Sequence, residues 1–276
     1  MHIGLVARLD MQKSIKLAKK IVEFLEKKGI QVSVESSLAD IINKKDIKCD
    51  LEKMEADMIV TIGGDGTILR TQGIAKNIPI FGINMGTIGF LTEIDHQNAF
   101  EALEKVISGK YFIEERSRLE VCGKKLPPAL NEVVVITSKP AKMLHFEVLV
   151  DDEVVENLRA DGMIVSTPSG STAYSMSAGG PIVDPNVDAF IIVPICPFKL
   201  SARPLVVPDN SKIKIKLLKK GKDAIVVVDG QAEDKITYME ELTLKKYKSP
   251  AYFVRLKKGF YRRIREKLTE GGIAFL

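Results

Sequence analysis

The chain has 276 residues, of which 45% are apolar and 28% are charged, and its formal net charge is +5. This length and composition predict a globular protein of one large or two modest domains with a substantial core. The longest strongly apolar stretch, Ala189–Ile195, is far too short to span a bilayer, and the start MHIGLVARLD lacks the pattern of a secretory signal. We therefore expect a cytoplasmic protein that has no membrane partner.

The distribution of cysteine, histidine and basic residues disfavours metal-binding and nucleic-acid-binding classes. The three cysteines, Cys49, Cys122 and Cys196, are widely separated, which fits a reducing compartment rather than a disulfide framework. The three histidines are also scattered and form no zinc motif. Two basic stretches, 212–222 and 255–265, could neutralise nucleic-acid phosphates, but aromatic residues do not interleave with them. We interpret both stretches as solvated faces and expect no nucleic-acid partner.

Strand and helix patterns alternate over the first hundred residues. The helix at Lys13–Lys28 is amphipathic and stops at Gly29, and the one at His96–Ser108 is expected to turn Phe100, Leu103 and Val106 or Ile107 inward. The predicted elements are, in chain order, strand Ile3–Ala7, helix Lys13–Lys28, strands Gln31–Val34 and Met58–Ile62, helix Thr67–Lys76, strand Ile78–Ile83 and helix His96–Ser108. This alternation predicts a mostly parallel, doubly wound sheet.

Strand patterns dominate after residue 110. The predicted strands are Tyr111–Val121, Ala129–Thr137, Met143–Val150, Val154–Leu158, Met163–Ser166, Ala189–Ile195, Lys212–Leu218, Ala224–Val228 and Ile236–Leu244. The fold class predicted is α/β plus all-β, with a Rossmann-like α/β domain over residues 1–110 and a β-sandwich-like domain over 111–255. The tail, 256–276, has helical character at Phe260–Leu268, and the sequence leaves open whether it packs back on the first domain.

An acidic residue lies among glycines in the stretch TIGGDGTILR, residues 61–70. The stretch is not a Walker A loop, and Leu69 occupies the place of the third glycine of a dinucleotide fingerprint. It lies at a strand-to-helix junction, where the backbone N–H groups of Gly63, Gly64, Gly66 and Thr67 can bind phosphate. Asp65 can then address a hydroxyl group, an arrangement that suits phosphoryl transfer to an alcohol. The alternative is an ordinary turn in which Asp65 caps the helix.

Two further segments favour a nucleotide site. Residues 84–91, NMGTIGFL, follow the next strand and should lie at the same edge of the sheet. Residues 161–175 are rich in small hydroxylated side chains, and Tyr174 offers a ring on which a base can stack. A serine nucleophile is disfavoured because no G-x-S-x-G elbow occurs there. Taken alone, this segment would be interpreted as a polar loop.

Five motifs together resemble the NAD kinase family. They are GGDGT at 63–67, NMGTIGFLTE at 84–93, NE at 131–132, DGMIVSTPSGSTAYSMSAGGPIV at 161–183 and VDGQ at 228–231, in that family's order and spacing over nearly the whole chain. GGDGT alone is shared with diacylglycerol and sphingosine kinases, and 6-phosphofructokinases carry a close variant. In the lipid kinases an Asn-Glu pair follows GGDGT closely, whereas Ile68–Leu69–Arg70 follows it here.

The resemblance implies phosphorylation of the 2′-hydroxyl of the adenosine ribose of NAD⁺, with ATP and Mg²⁺ or another divalent cation, to give NADP⁺. Asp65 would orient and deprotonate that hydroxyl as general base, and the glycines around it would hold the donor phosphates. Arg70 would meet phosphate oxygens with its guanidinium fork. Polyphosphate as donor and NADH as acceptor stay open, and the metal ligands are unknown because Mg²⁺ usually arrives on nucleotide phosphates.

The resemblance also implies a set of NAD contacts and a homo-oligomer, either a dimer or a tetramer, in which the β domain contributes to the subunit interface. The implied contacts are Asp65, Gly66, Arg70, Asn131, Glu132, Lys142, Arg159, Asp161, Thr172, Ala173, Tyr174, Ser175, Met176, Ser177 and Gln231. Tyr174 would pack on adenine. Two positions depart from the common family pattern, since Ser169 replaces a threonine and Phe198 a histidine.

Two other functions are compatible with part of this pattern. A lipid or sugar kinase would share GGDGT, but the chain shows no amphipathic membrane helix beyond its basic tail. A non-catalytic NAD(P)-binding sensor would keep the dinucleotide loop but lose Asp65 or the phosphate turn, and this chain keeps both. Assay of NADP formation separates these readings.

Overall fold

The computed structural model describes residues 1–75, 77–86, 89–139, 141–220 and 223–266, which form two compact units. The first unit contains Met1–Glu115 together with the segment that begins at Ala251, and the second contains Arg116–Pro250. The second unit is therefore a few residues shorter at each end than the β domain expected from the sequence. None of the described helices is long and apolar enough to cross a membrane.

The first unit is built on one eight-stranded sheet. Its elements before the second unit are β1 His2–Ala7, α1 Gln12–Lys27, β2 Gln31–Glu35, α2 Ser36–Ile42, β3 Lys48–Cys49, β4 Met58–Gly63, α3 Asp65–Ile74, β5 Ile80–Asn84, β6 Ile94–Asp95, α4 Ala99–Ile107 and β7 Phe112–Arg116. Strands β3, β2, β1, β4 and β5 lie side by side in that order and pair in parallel. The strand order reverses between β1 and β4, and open α/β sheets bind ligands at the carboxyl ends of such strands.

The second unit consists of two antiparallel sheets around one core. Its elements are β8 Leu119–Val121, β9 Glu132–Thr137, β10 Leu144–Val150, β11 Glu153–Ala160, β12 Gly162–Ser166, α5 Tyr174–Ser177, β13 Ala189–Ile195, β14 Leu205–Pro208, β15 Ile213–Leu217, β16 Ala224–Val228, β17 Ala232–Ile236 and β18 Glu241–Lys246. The five-stranded sheet has the order β11-β10-β15-β18-β8, and the six-stranded sheet has the order β14-β13-β12-β9-β16-β17. Side chains of both sheets, among them Phe146 and Phe190, form the shared core.

After the second unit the chain returns to the first through β19 Ala251–Arg255 and α6 Phe260–Arg265. Strand β19 lies between β5 and β7 in the eight-stranded sheet. The predicted fold class, an α/β unit followed by a unit of antiparallel sheets, is confirmed. Residues 267 and 268, the end of the predicted helix Phe260–Leu268, lie outside the described residues. So does Lys76, the last residue of the predicted helix Thr67–Lys76.

Three local expectations were wrong. Phe100 is 36% exposed and packs edge-on against Phe24, because α4 buries a face of Ala99, Ala102, Leu103 and Val106 instead. The predicted strand Tyr111–Val121 is two strands that belong to different sheets. The predicted strand Ile236–Leu244 is broken by a turn in which Met239 has a positive φ of 62°. Neither break is marked by glycine or proline, since the residues there are Arg116–Ser117–Arg118 and Thr237–Tyr238–Met239–Glu240, so the sequence contains no turn signal at either position.

Candidate active site

The GGDGT turn joins the buried strand β4 to helix α3 at the carboxyl edge of the parallel sheet. A Cβ on Gly63 would lie 2.2 Å from Thr67 Oγ1 and 3.2 Å from Arg8 Cβ, so this position has no room for a side chain. A Cβ on Gly64 or Gly66 would meet no atom within 4 Å. Gly63 is therefore needed for packing, whereas Gly64 and Gly66 leave space that a ligand can use.

The phosphate-binding nest predicted for this turn is partly occupied by the turn itself. The N–H of Thr67 donates to the Gly64 carbonyl over 3.0 Å, and Gly63 is paired with Asn84 in the β4–β5 ladder. The prediction that backbone N–H groups here bind phosphate accordingly depends mainly on Gly64 and Gly66.

The Asp65 carboxylate is held by the backbone of a neighbouring loop. It accepts hydrogen bonds from the N–H groups of Phe90, Leu91 and Thr92, with distances of 2.8, 3.1 and 3.3 Å. A Cβ on Gly89 would lie 2.0 Å from Asp65 Oδ1, so the loop can approach the carboxylate only with glycine there. These residues belong to the NMGTIGFLTE motif, whose Thr87 and Ile88 lie outside the described residues. The two motifs are thus joined directly at Asp65.

Arg70 lies on α3 and pairs with Glu35 at the end of β2. Its two guanidinium nitrogens Nη1 and Nη2 donate to the Glu35 carboxylate over 2.6 and 2.9 Å. This hydrogen bonding raises the pKa of the Arg70 guanidinium, against the opposing effect of burial. The fork that was predicted to meet phosphate oxygens is therefore engaged by a carboxylate, and phosphate binding there would require Glu35 to give way.

In the second unit, Asp229 organises the turn that carries the Asn131–Glu132 pair. Asp229 and Gly230 have φ values of 50° and 64° and form the tight turn between β16 and β17. The Asp229 carboxylate accepts hydrogen bonds from the N–H groups of Leu130, Asn131 and Glu132, over 2.7, 2.8 and 3.0 Å. Sequence reasoning noticed the VDGQ motif but assigned only Gln231. An Asp-Gly pair is a sequence signal for such a turn, but only the fold shows that Asp229 holds the backbone of residues 130–132.

The Asn131–Glu132 pair presents buried polar atoms. Asn131 Oδ1 and Glu132 Oε2 are buried and have no hydrogen-bond partner among the described residues. Burial, and then the nearby Asp229 carboxyl, raise the pKa of Glu132 to about 8. Burial also raises the pKa of Asp229 to about 6, although its three backbone hydrogen bonds oppose the shift. Near neutral pH a protonated Glu132 can donate a hydrogen bond, while Asn131 Oδ1 can accept one.

The hydroxyl-rich segment 161–183 packs on this pair. The Thr167 N–H donates to the Asn131 carbonyl over 2.8 Å, and the Thr167 hydroxyl donates to the Leu130 carbonyl over 2.5 Å. A Cβ on Gly170 would lie 2.1 Å from the Asn131 carbonyl oxygen. The backbone N–H of Tyr174 interacts with the Glu132 carboxyl, and the Tyr174 side chain is 40% exposed. The structure thus brings together Asn131, Glu132, Asp229 and Tyr174.

The remaining predicted NAD contacts are placed differently. Arg159 lies on β11 with its guanidinium 4.4 Å from the centre of the Phe198 ring, and Lys142 is exposed in the turn between β9 and β10. Neither has a described contact with the Asn131–Glu132 pair. Of the others in this unit, Thr172 and Ser175 are buried, Asp161, Ala173 and Met176 are half-buried, and Ser177 and Gln231 are exposed.

The described residues contain no group of three or more His, Cys, Asp or Glu side chains that could hold a metal ion. Both oxygens of Asp65 already accept backbone hydrogen bonds. The chain therefore offers no ready-made cage for a resident cation within the part that the structure describes.

The GGDGT turn, at the carboxyl edge of a parallel sheet, favours a phosphotransferase as the class of protein. Residues 3–111 match the ATP-NAD kinase N-terminal domain, and residues 130–256 match the ATP-NAD kinase C-terminal domain. The chain belongs to the NAD kinase family, and the family resemblance inferred from the five motifs is confirmed.

Relatives and solved structures agree with this assignment. The NAD kinase of Methanothermobacter thermautotrophicus is 58% identical over 99% of this chain and 98% of its own length. The NAD kinase of Methanosphaera stadtmanae is 49% identical over 98% of this chain and all of its own length (100%). A crystal structure of an NAD kinase from Archaeoglobus fulgidus in complex with ATP covers 100% of both chains at 34% identity, with a TM-score of 0.78. Yeast NADH kinase complexed with NADH has a TM-score of 0.88 at 26% identity, covering 98% of this chain and 87% of that one.

Proposed function

We propose that this protein is an NAD kinase that transfers the γ-phosphoryl group of ATP to the 2′-hydroxyl of the adenosine ribose of NAD⁺, giving NADP⁺. The observation that carries the proposal is the Asp65 carboxylate, which lies at the carboxyl edge of the parallel sheet with its direction set by three backbone N–H groups. Membership of the family, and the ATP complex of the relative from Archaeoglobus fulgidus, support the reaction and the donor.

In this reaction Asp65 acts as general base. It accepts the proton of the ribose hydroxyl as the oxygen attacks the γ-phosphorus. The bond between the γ-phosphorus and the β,γ-bridging oxygen breaks, and ADP leaves with its electron pair. Gly64 and Gly66, which have room beside their Cα atoms, bind phosphate through backbone N–H groups. Arg70 also binds phosphate if its guanidinium group separates from the Glu35 carboxylate.

The second unit recognises NAD⁺ through the group of residues around Asn131 and Glu132. Their unpartnered buried oxygens supply hydrogen bonds to the dinucleotide, and the exposed ring of Tyr174 stacks on adenine. Asp161, Thr172, Ala173, Ser175, Met176, Ser177, Gln231, Lys142 and Arg159 are proposed as further contacts.

A divalent cation, Mg²⁺ or another, enters as part of the nucleotide substrate, held by its phosphates and water. When bound, it neutralises charge on the phosphates of ATP.

We also propose a cytoplasmic homo-oligomer, a dimer or tetramer. Free cysteines at all three positions fit a reducing compartment. In the second unit, Phe198, Leu200 and Val206 are 64%, 92% and 54% exposed, and we propose that they lie in the contact between subunits. Light scattering after size-exclusion chromatography measures the mass, and a monomer at micromolar concentration would contradict this part of the proposal.

The test is a coupled assay on purified protein with NAD⁺, ATP and Mg²⁺, in which an NADP-specific dehydrogenase reports product by absorbance. Asp65→Asn should lower turnover about 10²–10⁴-fold, the range typical of a general base, and leave NAD⁺ affinity nearly unchanged. Parallel assays with polyphosphate and with NADH rank donors and acceptors. NAD⁺ binding without NADP formation would indicate a sensor, and no NAD⁺ binding at all would favour a lipid or sugar kinase.

A further inference from the structure

A buried cluster of charged side chains lies in the first unit, outside the residues proposed to contact substrates. Arg255 and Glu93 have side chains that are each 1% exposed, and their Nη1 and Oε2 atoms lie 3.2 Å apart. Arg263 approaches the same Glu93 oxygen over 3.4 Å, and Arg255 Nε donates to Glu114 over 2.7 Å. Burying charged groups is a weak source of stability even when they are paired, so the cluster calls for another explanation.

Both arginines also hold the backbone of the loop that contacts Asp65. Arg255 Nη1 donates to the Leu91 carbonyl over 2.9 Å, and Arg263 Nη1 donates to the Thr92 carbonyl over 3.1 Å. Glu93 completes the connection by accepting the N–H of Leu256 over 2.9 Å. The C-terminal segment from β19 to α6 is thereby attached to residues 91–93.

A single peptide group connects Arg255 to Asp65. The carbonyl of Leu91 and the N–H of Thr92 belong to the same planar peptide unit, so the oxygen that accepts from Arg255 and the hydrogen that points at Asp65 cannot rotate independently. The next peptide unit is held in the same way, since the Thr92 carbonyl accepts from Arg263 while the Glu93 N–H donates to Gly82 of β5 over 2.8 Å. Rotation of the loop is thus restricted on both sides.

We propose that Arg255 and Arg263 are positioning residues, which fix the backbone of residues 91–92 and through it the direction of the Asp65 carboxylate. Neither side chain needs to contact substrate in this role. The catalytic consequence rests on the proposed function, whereas the structural consequence does not. The basic stretch 255–265 was interpreted from the sequence as a solvated face, but Arg255 and Arg263 within it are buried. The C-terminal segment would therefore be required for turnover.

Arg263→Gln tests the proposal, because it removes the positive charge and shortens the side chain that carries the hydrogen-bond donor. Arg262→Gln is the matched control, since Arg262 lies on the same helix, is 44% exposed and pairs only with Glu266 in the described contacts. Arg263→Gln should lower kcat about 10- to 100-fold with KM for NAD⁺ within about twofold, as expected when a reacting group is misplaced. Arg263→Lys keeps a charged donor and should restore part of the loss. Control activity should match the wild type.

A double-mutant cycle with Asp65→Asn separates positioning from general damage. If Arg263 acts through Asp65, adding Arg263→Gln to Asp65→Asn should lower turnover no further. An equal loss in both backgrounds would overturn the proposal, as would full kcat in Arg263→Gln.

Amide hydrogen exchange gives a measurement that does not depend on activity. The amides of Phe90, Leu91 and Thr92 should exchange at least about tenfold faster in Arg263→Gln than in Arg262→Gln, while the amides of Leu130–Glu132 are unaffected. Unchanged protection at residues 90–92 would overturn the proposal. If the wild type made no NADP, the proposed function would fail, and exchange would still decide whether the arginines hold the loop that contacts Asp65.

Discussion

Each unit contains an aspartate whose carboxylate accepts three consecutive backbone N–H groups, Asp65 from 90–92 and Asp229 from 130–132. Their surroundings differ, because Asp65 begins a helix and is half-buried, whereas Asp229 lies in a hairpin turn and is 7% exposed. At Asp229 burial outweighs the hydrogen bonds and raises the pKa to about 6. The same local geometry can therefore serve a reactive group or a structural one, and accessibility separates the two.

Glu132→Gln should have the largest effect on stability, and it tests how burial affects the carboxyl group that lies beside Asp229. The pKa of Glu132 is about 8 in the folded protein against an ordinary value of 4.5, so its contribution to stability is fully present below about pH 4.5 and is lost as the pH rises through 8. Removing the titration should stabilise the second unit at pH 9 by on the order of a few kcal/mol and leave stability at pH 5 nearly unchanged.

Thermal unfolding at pH 5, 7 and 9 measures this effect. Glu153→Gln, at an exposed position next to the β10–β11 turn, serves as the control and should follow the wild type at every pH. If Glu132→Gln lost stability with rising pH as steeply as the wild type, the buried carboxyl would not be responsible.

Gly89→Ala should displace the Asp65 carboxylate while leaving the aspartate itself in place. The new methyl group would occupy the position 2.0 Å from Asp65 Oδ1, and the carboxylate, as the end of a side chain, can swing away. We expect kcat to fall about 100-fold with little change in Tm, since misplacement by about 1 Å has effects of that size. Gly86→Ala, where a Cβ would meet nothing within 4 Å, is the control in the same loop. Normal turnover of Gly89→Ala would show that this loop does not set the position of Asp65.

Asp229→Asn should weaken NAD⁺ binding while largely sparing turnover, the reverse of Asp65→Asn. An asparagine side chain has one oxygen that accepts and one NH₂ group that only donates, so it cannot accept all three N–H groups in the way that the two carboxylate oxygens do. A buried donor that is left unsatisfied costs about 1–3 kcal/mol. We expect KM for NAD⁺ to rise about 10- to 30-fold, with kcat within about threefold. Asp234→Asn, exposed on the same hairpin, should have no effect. A loss confined to kcat would give Asp229 a different role.

Tyr174→Ala should have the smallest effect, about tenfold in NAD⁺ affinity by calorimetry, at the lower end of the 1–3 kcal/mol typical of base stacking. The ring is 40% exposed, so Tm should change little, and Tyr174→Phe should bind like the wild type. Tyr238→Ala, 43% exposed in a turn of the same unit, is the control. Unchanged affinity in Tyr174→Ala would mean that the ring only packs against its own loop.

Several features were accessible from the sequence. Periodicity placed β1, α1, β13 and β16 to within a residue or so, because each is a regular apolar run bounded by glycine, charged residues or turn residues. The family motifs marked Asp65, Asn131, Glu132 and Tyr174 as candidates. No role was predicted for Asp229 or for the arginines of the C-terminal segment, because their partners are distant in sequence and no local pattern links them.

The amino-acid sequence by itself determined the fold class, the family and the glycine turn that carries Asp65, because these depend on local periodicity and on residues close together in the chain. The tertiary structure alone decided that Arg70 pairs with Glu35, that Asp229 holds the Asn131–Glu132 turn, and that the C-terminal arginines hold the loop around Asp65. Each of these contacts joins residues far apart in sequence. Hydrogen bonds of that kind exist only once the sheets bring the segments together.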